Sequence, residues 1–306
     1  MKFRFIDEQR ITYPVRLLCK TLGVSSSGYY SWRRRGPSHR AETDRQLQRR
    51  ICHIHEESRR LYGSPKIHAQ LRQEGICCSR KRVIRLMRQG GISSRRRRCF
   101  KRTTRRNAAH PVAPNRLNQH FQATRPDQVW LADITYVPTG EGWLYLAVVM
   151  DLFSRRVLGW AMDAHMTEAL THRALMMAVT TRQMLPVQVM HHSDRGSQYT
   201  SAGYQALLAK QQMQVSMSGV GNCYDNAPME SFFSLLKTEL IHHERYDSRH
   251  TARTSIFAYI ETFYNRRRIH GAIAFMTPFA FEQQWRRTTS RMVVVPGSSL
   301  SFPTVH

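Results

Sequence analysis

Residues 130–137 read Trp-Leu-Ala-Asp-Ile-Thr-Tyr-Val and open the part of the chain that decides the fold. They lie in an apolar run rich in β-branched and aromatic residues, and similar runs follow after short turns. The three runs, 128–137, 143–151 and 156–162, predict antiparallel strands. Helices are then expected at 167–182, 202–211, 226–241 and 248–267, with strands between them at 187–191 and 214–217. Strands followed by alternating helix and strand predict an α/β core around a mixed five-stranded sheet.

The charge of the chain is distributed unevenly along its 306 residues. The net charge is +26, and residues 1–107 hold 29 Lys/Arg against 7 Asp/Glu, a net of +22. Arginine predominates there, and its planar guanidinium suits phosphate groups and guanine edges. So large an excess is costly self-repulsion without a polyanion, which favours a nucleic-acid partner over a merely solvated basic surface.

The basic third of the chain predicts two helical modules, followed by a linker. Residues 12–34 are typical of a helix–turn–helix, and a second one is expected after Pro65, with a turn at Gly75 and a helix capped by Ser79. That last helix is expected to expose its cations to DNA: Arg80, Lys81, Arg82, Arg85 and Arg88. The expected domains are a helix–turn–helix-like segment at 1–40, a second DNA-binding module at 41–92, a basic linker at 93–119, a catalytic core at 120–285 and an irregular tail at 286–306.

Three carboxylates stand out in the second part of the chain. Asp133 lies in the middle of an apolar strand, Asp194 follows the fourth strand, and Glu230 lies at the start of a helix. Singly, each has an ordinary structural interpretation, as a hydrogen-bonded group, a turn former or a first-turn helix acid. Together they can converge on divalent cations, and oxygen ligands suit Mg²⁺ or Mn²⁺. Lys237 is two helical turns beyond Glu230 on the same face, which would place it at an adjoining phosphate.

The spacing and the surrounding words resemble those of one protein family. Sixty residues separate Asp133 from Asp194, and thirty-five residues separate Asp194 from Glu230. This spacing is similar to the Asp-Asp-Glu signature of retroviral integrases. Three sequence motifs resemble those of bacterial insertion-sequence transposases, in which the second of two overlapping frames encodes the catalytic half. The motifs are Trp-x-x-Asp-Ile-Thr-Tyr, His-Ser-Asp-Arg-Gly-Ser-Gln-Tyr and Tyr-Asn-Arg-x-Arg-x-His. The resemblance covers about residues 60–285.

This resemblance implies a ribonuclease H-like core that cleaves and joins the ends of an insertion element in double-stranded DNA. It implies that Asp133, Asp194 and Glu230 hold two Mg²⁺ or Mn²⁺ ions, with water and then a DNA 3′-hydroxyl as nucleophiles and no covalent protein–DNA intermediate. Fusion to the upstream-frame product, or partnership with it, is common in the family, and a homo-oligomer is expected in the DNA complex. A basic helix end is expected to contact donor DNA through Asn265, Arg266, Arg268 and His270.

Two alternative functions stay open at this point: a DNA-binding regulator with an inactive core, and a metal-dependent nuclease that cuts without joining. The regulator predicts loss of at least one carboxylate, whereas all three are present. A zinc site at Cys52, His55, Cys77 and Cys78 is not expected, because adjacent cysteines rarely chelate one tetrahedral ion. The charged start of the chain lacks a signal-peptide core, so a cytoplasmic, nucleoid-associated protein without a membrane partner is expected.

Overall fold

The structure is a computed structural model that describes residues 1–36, 38–94, 113–119, 121–182, 188–219 and 226–293. The chain divides into two compact units, Met1–Ser93 and Ser94–His306. Most of the expected linker, at 95–112, and the end of the tail lie outside the described residues. Within the described part, no helix is long and apolar enough to cross a membrane.

The first unit is all helical. Its six helices are α1 (Lys2–Gln9), α2 (Val15–Thr21), α3 (Ser26–Arg34), α4 (His39–Glu57), α5 (Ser64–Gln73) and α6 (Arg80–Gln89). Ser79 caps α6 as expected, because its side chain accepts a hydrogen bond from the Arg82 N–H, and Ser25 caps α3 in the same way through the Gly28 N–H. The α5–α6 turn uses Gly75, whose φ of +78° is one that side chains other than glycine disfavour.

Two groups of buried residues stabilise these helices. Ile6, Cys19 and Tyr29 form the core of α1–α3. The buried residues of α4–α6 recur at helical spacing, so each helix turns one apolar face inward: Leu47, Ile51, Ile54, Ile67, Leu71, Val83, Leu86 and Met87. The predicted helix–turn–helix pattern is therefore present twice, with α1 as an additional helix that the sequence analysis did not include.

The second unit contains a five-stranded mixed sheet, as predicted. Its strands are β1 (Val129–Thr139), β2 (Gly142–Asp151), β3 (Val157–Asp163), β4 (Met190–Ser193) and β5 (Gln214–Met217), and their order across the sheet is β3-β2-β1-β4-β5. β1, β2 and β3 pair antiparallel, whereas β4 pairs parallel to both β1 and β5. β1 is thus the strand at which the sheet changes from antiparallel to parallel.

Helices accompany the sheet: α7 (Glu168–Arg182), α8 (Ser197–Thr200), α9 (Ala202–Lys210), α10 (Ala227–Glu239), α11 (Arg249–Ala258) and α12 (Pro278–Val293). One hydrophobic cluster joins α7, α8 and α9 to one face of β1, β2 and β3. Gly159 of β3 is required for this packing, because a Cβ there would lie 2.2 Å from the carbonyl oxygen of Ala174 on α7.

The fourth strand is shifted relative to the prediction. It spans Met190–Ser193 instead of 187–191, and 187 lies outside the described residues. The strand consists largely of buried polar residues. Their burial is tolerated because they are hydrogen-bonded: His192 Nδ1 lies 2.9 Å from Ser216 Oγ, and His191 Nε2 lies 3.0 Å from the Tyr204 hydroxyl. An apolar pattern could not locate a strand whose side chains satisfy one another by hydrogen bonds.

Two predictions about the C-terminal part are wrong. The helix expected at 248–267 is α-helical only as far as Ala258, where α11 ends. The residues that follow, Tyr259–Tyr264, form a π-helical turn instead. The tail expected to be irregular from 286 instead continues α12 as far as Val293. Phe281 and Trp285 of this helix pack against the ring of Phe153, so tertiary contacts stabilise it.

A buried ionic cluster ties α12 to the sheet. The Arg182 side chain, 1% exposed, donates to Glu282 and, at 2.6 Å, to Asp127. Asp127 also accepts a hydrogen bond from the Trp130 indole at 2.9 Å. Buried charges are tolerated only when they are paired and hydrogen-bonded. Removing the central arginine takes away the cation paired with Asp127, whereas Glu282 keeps Arg156 and Arg286.

We predict that Arg182→Met lowers the free energy of unfolding of the second unit by about 3 kcal/mol, as for other broken buried pairs. Four of the five tryptophans lie in this unit, so urea unfolding followed by tryptophan fluorescence measures it.

The control is Arg173→Met on the same helix. Arg173 is exposed and its partner Asp163 is only half-buried, so the expected effect is below about 1 kcal/mol. Equal effects of the two substitutions would contradict the structural role of the buried cluster.

Candidate active site

The parallel pairing of β1 and β4 brings two of the three carboxylates together. Trp130 is opposite His191 and Leu131 is opposite His192. Continued by two residues, this register places Asp133 level with Asp194, on strands that are roughly 4.8 Å apart. Asp194 directly follows the carboxyl end of β4, which is where open α/β sheets bind ligands.

Glu230 reaches the same place from α10. This helix packs against β1, and the Asn226 amide at its start donates to the carbonyl oxygen of Ala132 at 3.2 Å. Because Ala132 precedes Asp133, this hydrogen bond fixes the beginning of the helix beside the aspartate. Glu230 lies in the first turn of α10, so it projects from the end of the helix that is tied to β1. Residues 220–225, which precede this helix in the sequence, lie outside the described residues.

The electrostatics of the site show that the carboxylates influence one another. Burial raises the pKa of Asp133 well above its ordinary value, and the neighbouring carboxylates of Asp194 and Glu230 raise it further. Burial also raises the pKa of Asp194, against a hydrogen bond from the Gly196 N–H at 2.9 Å. The two aspartates therefore form a pair in which like charge and desolvation both oppose ionisation.

Lys237 is the cation next to this pair. It is half-buried on α10, and its Nζ lies 5.1 Å from the centroid of the Tyr136 ring. Burial lowers its pKa, whereas the Asp133 carboxylate acts in the opposite direction. α10 is continuous from Ala227 to Glu239, so Glu230 and Lys237 are two turns apart, as expected from the sequence.

A buried hydroxyl group lies under the carboxylates. Tyr199 is 2% exposed, its hydroxyl has no hydrogen-bond partner among the described residues, and the charges of Asp133 and Asp194 contribute to its raised pKa, after burial itself. The neighbouring His191 is fully buried, which lowers its pKa to about 3, so this side chain is neutral. His191 is therefore a structural side chain.

The chemistry of these groups suits a divalent cation. Within the described residues, neither Asp133 nor Asp194 has a lysine or arginine at ion-pair distance, although the chain carries 47 of them. Two desolvated carboxylates and an unpartnered hydroxyl fit a site completed by a cation with oxygen ligands. Across the described ranges, however, no group of three or more His, Cys, Asp or Glu side chains is gathered closely enough to hold a metal ion.

The structure corrects the expectation of a DNA-contacting helix end at 265–270. Asn265, Arg268 and His270 are all buried, at 4%, 4% and 7% exposure. The Asn265 side-chain amide accepts one hydrogen bond from the backbone of β3 through its oxygen and donates another to it through its nitrogen. Arg268 donates to Glu239 at 2.6 Å. These three side chains hold the core together. Of the four residues expected to contact DNA here, only Arg266, whose guanidinium lies over the Phe279 ring, is exposed.

The cations of α6 fall into two groups. Arg82 and Arg85 are half-buried and each donates to Asp44 on α4 at 2.7 Å, so they stabilise the helical unit. Both bonds lower the pKa of Asp44. The other three cations of the predicted set are exposed: Arg80, Lys81 and Arg88.

Comparisons with known proteins give the same division of the chain. Residues 123–223 and 230–285 match the family Integrase core domain, and residues 42–100 match an HTH-like domain. The chain is 43% identical to "Insertion element IS600 uncharacterized 31 kDa protein" from Shigella sonnei, over 88% of this chain and 99% of the relative. It is 41% identical to "Transposase InsF for insertion sequence IS3A" from Escherichia coli (strain K12), over 93% of this chain and 99% of the relative.

Among solved structures, the chain is similar to the HTLV-2 integrase catalytic core domain in complex with magnesium. The identity is 15%, the TM-score is 0.41, and the match covers 53% of this chain and 99% of that one.

We predict that Asp133→Asn stabilises the metal-free protein at pH 7 to 8. Because the unfolded chain ionises this carboxyl first, the free energy of unfolding falls as the pH rises from the ordinary aspartate pKa to the raised pKa of the folded state. The isosteric amide stays neutral and avoids this loss. The expected rise in Tm is about 2–4 °C, measured by thermal unfolding in EDTA.

Asp163→Asn is the matched control, because a hydrogen bond from Arg173 lowers the pKa of Asp163 and the sign reverses. This substitution should lower the Tm. A fall in Tm for both variants would refute the electrostatic description of the site.

Proposed function

Because the chain belongs to the insertion-sequence transposases of the integrase superfamily, we propose that Asp133, Asp194 and Glu230 catalyse metal-dependent cleavage and strand transfer of element ends. One observation carries the proposal: the acids lie on β1, directly after the adjoining parallel β4, and on a helix tied to β1 by the Asn226 amide. Three separate elements thus carry the carboxylates near the carboxyl end of β4, beside β1.

These three residues are the proposed ligands of two Mg²⁺ or Mn²⁺ ions. Carboxylate oxygens suit both metals, and ionised Asp133 and Asp194 gain a counter-charge that the described side chains do not provide. Since the three side chains are not gathered in one cluster, binding of the metal has to draw them together. Such ions supply an activated oxygen nucleophile and stabilise the leaving oxygen in an in-line displacement.

The proposed reaction consists of two phosphoryl transfers. In the first, a water oxygen bonds to phosphorus at the element end, the P–O3′ bond breaks, and the 3′-oxygen leaves as a hydroxyl. In the second, this 3′-hydroxyl attacks a phosphodiester of the target DNA and releases a target 3′-hydroxyl. Each step exchanges one P–O bond for another, so no side chain becomes covalently linked to DNA. We propose that Lys237, whose pKa responds to the Asp133 carboxylate, binds a phosphate of the element end.

The first unit supplies DNA affinity in this proposal. Its exposed cations on α6 follow a capped turn, which is the arrangement that places a helix in the major groove. We further propose that the chain acts as a homo-oligomer on DNA, alone or with the upstream-frame product.

We predict that Glu230→Gln reduces cleavage and joining in Mg²⁺ by at least about 100-fold, since loss of a metal ligand costs more than loss of a supporting group. Binding to element ends should change less than about two-fold, because no cation is removed. The assay measures cleavage of element-end DNA and, separately, joining of pre-cut 3′-hydroxyl ends.

Glu244→Gln, an exposed acid that accepts a hydrogen bond from Ser255, serves as the control and should retain activity. Joining at the wild-type rate by Glu230→Gln would overturn the assignment. Wild-type cleavage without any joining of pre-cut ends would identify a nuclease instead.

We predict that simultaneous Arg80→Ala, Lys81→Ala and Arg88→Ala substitutions weaken duplex binding and reduce its salt dependence. Each phosphate contact contributes about 0.9 to the slope of log K against log salt, so the slope should fall by about 2–3. Fluorescence anisotropy of a labelled duplex between 50 and 300 mM salt measures it.

The comparison variant is Arg82→Ala with Arg85→Ala, which removes cations paired with Asp44. Its main effect should be a lower Tm, with a smaller change in slope. An unchanged slope in the triple variant would show that α6 does not contact phosphates.

A further inference from the structure

Two large aromatic side chains are exposed on the first hairpin of the sheet. Tyr136 of β1 is 48% exposed and Trp143 of β2 is 49% exposed. Tyr136 is opposite Tyr145 in the register, so Trp143 is its diagonal neighbour on the same face. Their ring centroids are 4.9 Å apart in an edge-to-face arrangement. We call Tyr136 and Trp143 the aromatic platform.

The aromatic platform lies on the same strand as Asp133. Tyr136 follows Asp133 by three residues, which is roughly 10 Å along β1, and side chains three residues apart point to opposite faces of a strand. Lys237 connects the two, because its Nζ lies 5.1 Å from the Tyr136 ring and its pKa responds to the Asp133 carboxylate. A DNA strand whose phosphate lies at Lys237 therefore has its adjoining base within reach of the Tyr136 ring.

A second cation lies at the other end of the aromatic platform. The Arg249 side chain is half-buried, and its Nε donates to the carbonyl oxygen of Trp143 at 3.1 Å. Exposed aromatic rings between two cations match a polyanion that carries aromatic bases, since phosphates pair with the cations and bases stack on the rings. An apolar protein surface would offer no anionic group to Lys237 or Arg249.

We propose that the aromatic platform binds an unpaired nucleobase of the DNA strand held at Asp133, Asp194 and Glu230. This inference rests on the proposed function and adds a base-binding subsite to it. The ligand is an unpaired base rather than intact duplex, because a base inside the helix has both faces covered by its neighbours. The subsite therefore favours ends whose last base pairs are open.

The test compares two DNA probes in EDTA: a blunt 20-base-pair duplex, and the same duplex with three unpaired nucleotides at one 3′ end, one of them 2-aminopurine. The wild-type chain should bind the unpaired end more tightly and quench its 2-aminopurine fluorescence. Tyr136→Ala with Trp143→Ala should reduce affinity for the unpaired end about 10-fold and abolish the quenching, while affinity for the blunt duplex stays within two-fold.

Two further variants make the test specific. Phe257→Ala removes another aromatic side chain that is 49% exposed and paired with Trp160, and it should change neither probe. Tyr136→Phe with Trp143→Phe keeps aromatic rings and should restore the preference for the unpaired end. A Tm close to that of the wild type shows that the alanine variant is folded.

Three results would overturn the inference: equal loss of affinity for both probes, unchanged preference in the alanine variant, or a changed molar mass in sedimentation with unchanged DNA affinity. The last would assign the aromatic platform to contact between copies of the chain. Cleavage of element ends by the wild type is measured separately in Mg²⁺. The subsite can therefore fail while the proposed catalysis stands, and a chain that stacks the base without cleaving would refute the catalysis alone.

Discussion

The second unit depends on where the pairing between β1 and β4 stops. β1 has eleven residues and β4 has four, and their parallel register ends at Leu131 opposite His192. Beyond this point β1 continues with only β2 beside it, and its free carbonyl at Ala132 accepts the Asn226 amide that begins α10. The end of one short strand thus determines the position of Asp194, exposes the edge of β1 at Asp133, and provides the place where the helix with Glu230 attaches.

This arrangement has an energetic cost that the surrounding core has to offset. Asp133 and Asp194 are desolvated next to each other, and the Tyr199 hydroxyl beneath them has no partner among the described side chains. Other buried polar groups of the unit do have partners: Tyr204 bonds His191, and Tyr259 bonds Glu239 at 2.7 Å. A desolvated pair of like charges is the kind of unfavourable feature that is expected where function opposes stability.

The sequence was sufficient to predict the elements whose pattern is local. β1, β2 and β3 follow from apolar runs, and the cap at Ser79 follows from residue type. Features held by distant contacts could not be predicted in this way. β4 is a buried strand of polar residues, and α12 is stabilised by Arg182, a hundred residues before its partner Glu282. The motif containing Asn265, Arg268 and His270 indicated cations and polar groups but not their burial, which depends on Glu239 and the β3 backbone.

The arginines show why charge composition alone does not identify a DNA surface. Glu239 is paired with Arg268, Glu282 with Arg182, and Asp44 with two arginines of α6, so a share of the basic residues neutralises internal acids. In a chain with a net charge of +26, acids are readily matched in this way. Asp133 and Asp194 differ from those acids because Lys237, the cation that acts on Asp133, lies beside the Tyr136 ring instead of bonding a carboxylate. An acid pair kept apart from so many available arginines is better explained by a positively charged ligand from outside the chain than by a structural role.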